Sequence, residues 1–154
     1  MAIESLFERR VPLWLWGLSL LCFGVVYVLH AQTATEGMDT TGYVYAAEQL
    51  ARGQLPKYCN DYNELIGPYF TYYAFSANPN VPGPCRFYSY PIGFPLLLAG
   101  ARWLTGHPQA VYYMVPLLAL WGLVGVFVLG RLLFESLWGG LWATLWLGAA
   151  PTYI

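Results

Sequence analysis

Apolar positions are unevenly spread along this chain. Three uncharged runs dominate it: VPLWLWGLSLLCFGVVYVL at 11–29, AVYYMVPLLALWGLVGVFVLG at 110–130 and SLWGGLWATLWLGAAPTYI at 136–154. Each approaches the roughly 20 apolar residues that an α-helix needs to cross a hydrocarbon core about 30 Å thick. The pattern predicts an all-α membrane protein, a single membrane domain over 1–154 with three transmembrane helices. A longer and more polar segment, about 30–108, lies between the first and second spans. A fourth run, YPIGFPLLLAG at 90–100, is shorter and carries Pro91 and Pro95. Runs of that length are more often interfacial than spanning, so a juxtamembrane helix is expected there. A short true span reaching Leu104 is the alternative.

Within the polar segment, MDTTGYVYAAEQLARG at 38–53 reads as a short helix. Tyr43, Ala46, Ala47 and Leu50 recur at helical spacing and form one apolar stripe, while Glu48, Gln49 and Arg52 face elsewhere. Asp39 or Thr40 can cap the first turn, since a side-chain oxygen accepts from the unpaired amides there. Gly53 and Pro56 end the segment. The stretch 55–90 is rich in Tyr, Pro, Asn and Gly, and ANPNVPGP at 77–84 is turn chemistry. Its aromatic content predicts a folded cap on the membrane face rather than a disordered linker.

Composition sharpens this picture. Of 154 residues 58% are hydrophobic, 18% aromatic and only 10% charged, against roughly a quarter charged in a soluble domain. Seven Trp and thirteen Tyr suit a chain with many residues at membrane–water boundaries. The net charge is −1 and no basic run exists to track phosphates, which excludes a nucleic-acid partner. Arg9 and Arg10 precede the first span. That span is longer than the roughly 7–15-residue core of a cleaved signal, so it is expected to remain as an anchor.

Arg9 and Arg10, together with Arg131 in the turn after the second span, place the N-terminus in the cytoplasm and 30–108 outside. The protein is thus expected in the plasma (inner) membrane with its long loop outward. Cys59 and Cys85 both fall in that outer segment, whereas Cys22 lies in the first span. Two thiols in an oxidising exterior are a disulfide candidate. Metal ligation is the competing reading, although no Cys-x-x-Cys or Cys/His spacing supports it.

Several of these residues carry a family likeness. Asp39 after the first span, followed by Tyr43, Ala46, Leu50 and Gly53, resembles the pattern D…Y…A…L…G. YPIGFPLLLAG with Gly106 is similar to a YPPGxPLLLA…G segment, and GRLLFESLWGGLWATLWLGAAP to the span that follows. Together they resemble the N-terminal part of polytopic membrane glycosyltransferases of the GT-C fold. That group includes the protein O-mannosyltransferases and the bacterial aminoarabinose transferases. The resemblance implies transfer of a sugar from a polyprenyl-phosphate donor to an acceptor on the outer face. It assigns Asp39 the catalytic role of activating or orienting the acceptor nucleophile. The departing lipid phosphate needs cations, and Arg52, Lys57, Arg86 and Arg102 are the candidates. A divalent cation is compatible with this chemistry, but the chain has no metal-ligand motif. Members of the family run to many more spans, so the chain is expected to be a piece of a longer enzyme or a truncated, inactive relative.

A rival from another class is a non-catalytic transmembrane subunit packing on a larger complex. Gly139, Gly140 and Gly148 would suit helix–helix contact there. The partners expected overall are the lipid bilayer, a lipid-linked sugar donor and other transmembrane subunits.

Overall fold

A computed structural model describes residues 2–31, 34, 38–61, 74–76 and 83–150, with side chains of the first helix described from Val11 onward. The chain is mostly helical, and it clusters into two compact units: 1–31 with 115–154, and 32–114. The boundaries fall close to the expected limits of the outer segment.

The first unit holds α1 (Ala2–Leu29), α4 (Met114–Phe134) from Val115 on, and α5 (Leu137–Gly148). Two stretches are long and apolar enough to cross a membrane, Val11–Leu29 and Pro108–Phe134. The second begins with a 3-10 turn, Pro108–Tyr113, whose proline sits where a missing amide hydrogen costs nothing. Of the expected third span, 136–154, the structure describes residues up to 150. Helix α5 has 12 residues, a rise of about 18 Å, and residues 151–154 lie outside the described ones.

Glycine decides how α5 packs. The Cβ that Gly140 lacks would lie 2.7 Å from the Phe127 carbonyl oxygen, and that of Gly130 2.9 Å from Ala143 Cβ, so the α4 and α5 backbones approach closely. Gly148 lies against the Phe23 ring of α1, and the Tyr27 hydroxyl donates to its carbonyl at 3.3 Å. Trp16 stacks on Phe127 with centroids 4.4 Å apart. The Thr144 hydroxyl, fully buried, donates to the Gly140 carbonyl within its own helix. Ser136 caps α5 by accepting from the Trp138 amide. Trp138, Trp142 and Trp146, four residues apart, occupy the exposed side.

The second unit corrects the all-α expectation. It contains α2 (Met38–Ala51), α3 (Gly93–Thr105), and a small antiparallel sheet of β1 (Lys57–Cys59), β2 (Phe75–Ser76) and β3 (Cys85–Tyr88) in the order β1-β3-β2. The stretch expected as an aromatic loop therefore supplies strands, although 62–73 and 77–82, including most of ANPNVPGP, lie outside the described residues. Register brings Cys59 opposite Cys85, and the two form a disulfide. The disulfide reading of that pair holds.

Helix α2 is the centre of this unit. Ala46 and Ala47 are both fully buried on adjacent sides of it. Ala47 packs with Leu98, Ala99 and Val111 of α3 and the 3-10 turn, whereas Ala46 packs with Ala74 and Phe75 of the sheet. The expected stripe is thus split between two neighbours, and small residues let both come close. Gly42 extends the sheet-facing side, where an added Cβ would meet Ala74 Cβ at 2.6 Å. Gln49 fastens the sheet edge: its side chain accepts from the Lys57 amide at 2.7 Å and donates to the Lys57 carbonyl at 2.8 Å. Gly53 then ends the helix, at φ 71° and with its amide bonded to the Leu50 carbonyl.

Candidate active site

The N-terminal end of α2 carries the carboxylate singled out by sequence. Asp39 stands in the first turn and is exposed. A negative side chain is favoured there by the helix dipole. The described bonds do not make it a cap, however: its Oδ1 accepts from the Tyr90 hydroxyl at 3.2 Å. Tyr90 precedes Pro91 at the entry to α3, so two sequence segments 51 residues apart meet at this bond. The bond described for Asp39 is thus a tertiary contact.

Aromatic packing fixes Tyr90 in turn. Tyr43, one helical turn along from Asp39, lies 5.9 Å from the Tyr90 ring and 5.4 Å, edge-on, from Phe94. Tyr88 at the end of β3 lies 6.3 Å from Tyr90 and 5.4 Å from Phe75. The Tyr88 hydroxyl is shielded from solvent and has no hydrogen-bond partner among the described residues. Burial, and then the neighbouring Tyr43 and Tyr90 phenols, push its pKa from 10.0 up to about 12. It is a neutral donor at every physiological pH.

The four cation candidates are not gathered around Asp39. Arg102 donates to Glu48 at 2.9 Å, a half-exposed ion pair that joins α3 to α2. Arg52 follows the last residue of α2, so the length of that helix, about 20 Å at 1.5 Å per residue, separates it from Asp39. Lys57 is clamped by Gln49 and so lies toward that same far end. Arg86 differs. It alternates with Tyr88 along β3 and so shares its face of the sheet, and it donates to the Gly83 carbonyl at 3.4 Å. Among the described residues no group of three or more His, Cys, Asp or Glu side chains is placed to hold a metal ion.

The sequence places Tyr43 in the same helical stripe and family pattern as Asp39 and Tyr90 in the second motif, but it does not show that Tyr90 reaches Asp39 or that Tyr43 and Tyr88 flank the Tyr90 ring. Comparison of the chain with protein-family models, with curated proteins and with solved structures finds no match for any of the three.

Proposed function

We propose that this chain is the N-terminal, site-bearing portion of a GT-C-like membrane glycosyltransferase that uses a polyprenyl-phosphate sugar. One observation carries the reading: the Asp39–Tyr90 hydrogen bond joins two motif segments that each separately resemble that family. In this reading Asp39 Oδ2 takes the proton from an acceptor hydroxyl or amine. The freed electron pair attacks the anomeric carbon, and the bond from that carbon to the lipid phosphate oxygen breaks. Tyr90 is a positioning residue that fixes the carboxylate rotamer, which matters because a general base must lie within hydrogen-bond reach of the proton it removes. Arg86 is the favoured cation for the departing phosphate, since it shares a sheet face with Tyr88.

The two long apolar helices are membrane spans in this reading, with the N-terminus cytoplasmic and the second unit on the outer face. A disulfide in that unit agrees with an oxidising side. The alternative is a non-catalytic accessory subunit. Gly139, Gly140 and Gly148 are occupied by contacts within this chain, which leaves the row of Trp138, Trp142 and Trp146 as the face open to a larger complex.

The test is sugar transfer by the full-length enzyme in membranes. Asp39→Asn should lower turnover by about 10²–10⁴-fold, the usual worth of a positioned general base. Tyr90→Phe, which keeps the ring and removes the bond, should lower it less while leaving thermal stability near wild type. Undiminished turnover in Asp39→Asn would remove the catalytic assignment.

A further inference from the structure

The Cys59–Cys85 disulfide stands on the outer face of the sheet. Lys57 and Cys59 are exposed, while Tyr58 between them turns inward against Tyr45 and Phe75. Register explains why sulfur bridges this position. The Asn60 amide bonds to the Pro84 carbonyl and the Tyr88 amide to the Pro56 carbonyl, so 60/84 and 56/88 are hydrogen-bonded pairs. Alternation along an antiparallel ladder makes Cys59/Cys85 a non-bonded pair, whose amides and carbonyls point away from each other. Each strand also has its own hold on the rest of the unit. Gln49 of α2 grips β1 through both backbone groups of Lys57. The far end of β3 is held by Tyr88 against Phe75 and by the Ser89 amide, which bonds to the Ala74 carbonyl.

We infer that the Cys59–Cys85 disulfide is a redox latch: a protein dithiol opens it, and with it the pairing of β1 with β3, while both strands stay docked. Access argues for this. Cys59 is exposed, and exposed disulfides are the labile ones that attacking thiolates reach. Lys57, on the same face two residues earlier, supplies a positive charge that favours the thiolate form of a nearby cysteine. In the reaction, one thiolate of the dithiol bonds to Cys59 Sγ, and the disulfide breaks with its electron pair leaving on Cys85 Sγ. The second thiolate of the dithiol attacks the mixed disulfide and expels Cys59 Sγ. The dithiol is oxidised to a disulfide, and the two cysteines of this chain, now reduced, take up protons. Opening follows because β1 and β3 have only 3 and 4 residues, too few to stay paired firmly by backbone bonds alone. Arg86 feels the change most directly. It follows Cys85 and donates to the Gly83 carbonyl, so that bond straddles the latch. In the transferase reading, on which this one consequence rests, opening displaces the cation favoured for the departing phosphate and slows turnover.

The experiment compares the oxidised and dithiothreitol-treated full chain, in a Cys22→Ser background, in detergent micelles. Thiol state is read by gel shift after maleimide–polyethylene glycol alkylation, and amide hydrogen exchange is read residue by residue by NMR. After reduction the Asn60 amide should exchange many-fold faster, while the Lys57 and Ser89 amides keep their protection. Reoxidation with glutathione disulfide should restore Asn60. A disulfide that dithiothreitol reaches only in denaturant would overturn the latch, and so would unchanged exchange at Asn60. Loss of protection at Lys57 and Ser89 together with Asn60 would overturn it differently, by showing a staple that holds the whole unit together. Turnover of the full-length enzyme is followed through the same redox cycle beside Asp39→Asn. It should fall several-fold on reduction and recover on reoxidation, with the Cys59→Ser/Cys85→Ser variant fixed at the reduced rate. A redox-insensitive rate in an enzyme that Asp39→Asn impairs would remove the control over Arg86. Undiminished turnover in Asp39→Asn would instead sink the transferase reading, and the exchange measurement would still decide the latch.

Discussion

Tyr88 shows what a single side chain can report about this fold. Its hydroxyl is removed from solvent without gaining a partner among the described residues, so its desolvation is offset by no bond there. Tyr88→Phe keeps the ring contacts with Phe75 and Tyr90 and should leave the fold as stable as before, or slightly more so. The pH dependence follows from the raised pKa. Well below pH 10.0 the phenol is neutral both folded and unfolded and adds no pH dependence. Between 10.0 and about 12 the unfolded chain releases this proton while the folded one retains it. The folded state binds more protons in that window, so stability falls as the pH rises through it. Thermal unfolding followed from neutral to strongly alkaline pH should show this fall in the wild type and a smaller one in Tyr88→Phe. Equal slopes for the two would mean that the phenol is not buried. Asp39 shows the limit of local reading. Its type and place at a helix start were evident, but its partner 51 residues away was not, because a tyrosine before a proline signals a turn and says nothing of what the ring will meet.

Elements were legible in proportion to their length and periodicity. Helix α2 was expected at 38–53 and found at Met38–Ala51, and α3 at 90–100 and found at Gly93–Thr105, because apolar spacing and glycine stops mark both. The sheet was not legible. Its strands have 3, 2 and 4 residues, too few for alternation to register, and side-chain bonds from Gln49 rather than a hydrophobic pattern hold one edge. Nor did the sequence reveal that α2 would serve two neighbours. The small residues Gly42, Ala46 and Ala47 reflect that demand, and it is testable. Gly42→Ala forces a Cβ to within 2.6 Å of Ala74 Cβ, so the sheet must shift away from α2. Overpacking of this kind costs about 1–3 kcal/mol. Gly100→Ala, on α3 with nothing within 4 Å of the added carbon, should instead be neutral or stabilising by up to about 1 kcal/mol. Chemical denaturation of the two variants in detergent micelles measures the contrast. Equal stabilities would mean that Gly42 is not a point of close approach.

At the scale of the whole molecule, the division into two units follows the hydropathy of the chain. Residues 32–114 form one compact unit, and 1–31 with 115–154 form the other. If Val11–Leu29 and Pro108–Phe134 are consecutive spans, they run in opposite senses and everything between them lies on one side of the bilayer. Arg131 in the last turn of α4 and Arg9 and Arg10 before α1 then share the other side. Short basic flanks favour the cytoplasm, and the chemistry proposed for Asp39 requires the opposite face, where a polyprenyl-linked sugar and its acceptor would meet. Charge and chemistry therefore make the same prediction independently. In a Cys22→Ser background, a membrane-impermeant maleimide added to intact cells or inner-membrane-exposed spheroplasts should label Gln54→Cys at once. It should label Glu135→Cys, in the turn between α4 and α5, only after permeabilisation. Replacing Arg9 and Arg10 with Gln should weaken the asymmetry without abolishing it, because Arg131 still acts in the same direction. Labelling in the reverse order would put Asp39 in the cytoplasm, away from outer-face acceptors, and would remove the transferase reading while leaving the fold of both units as described.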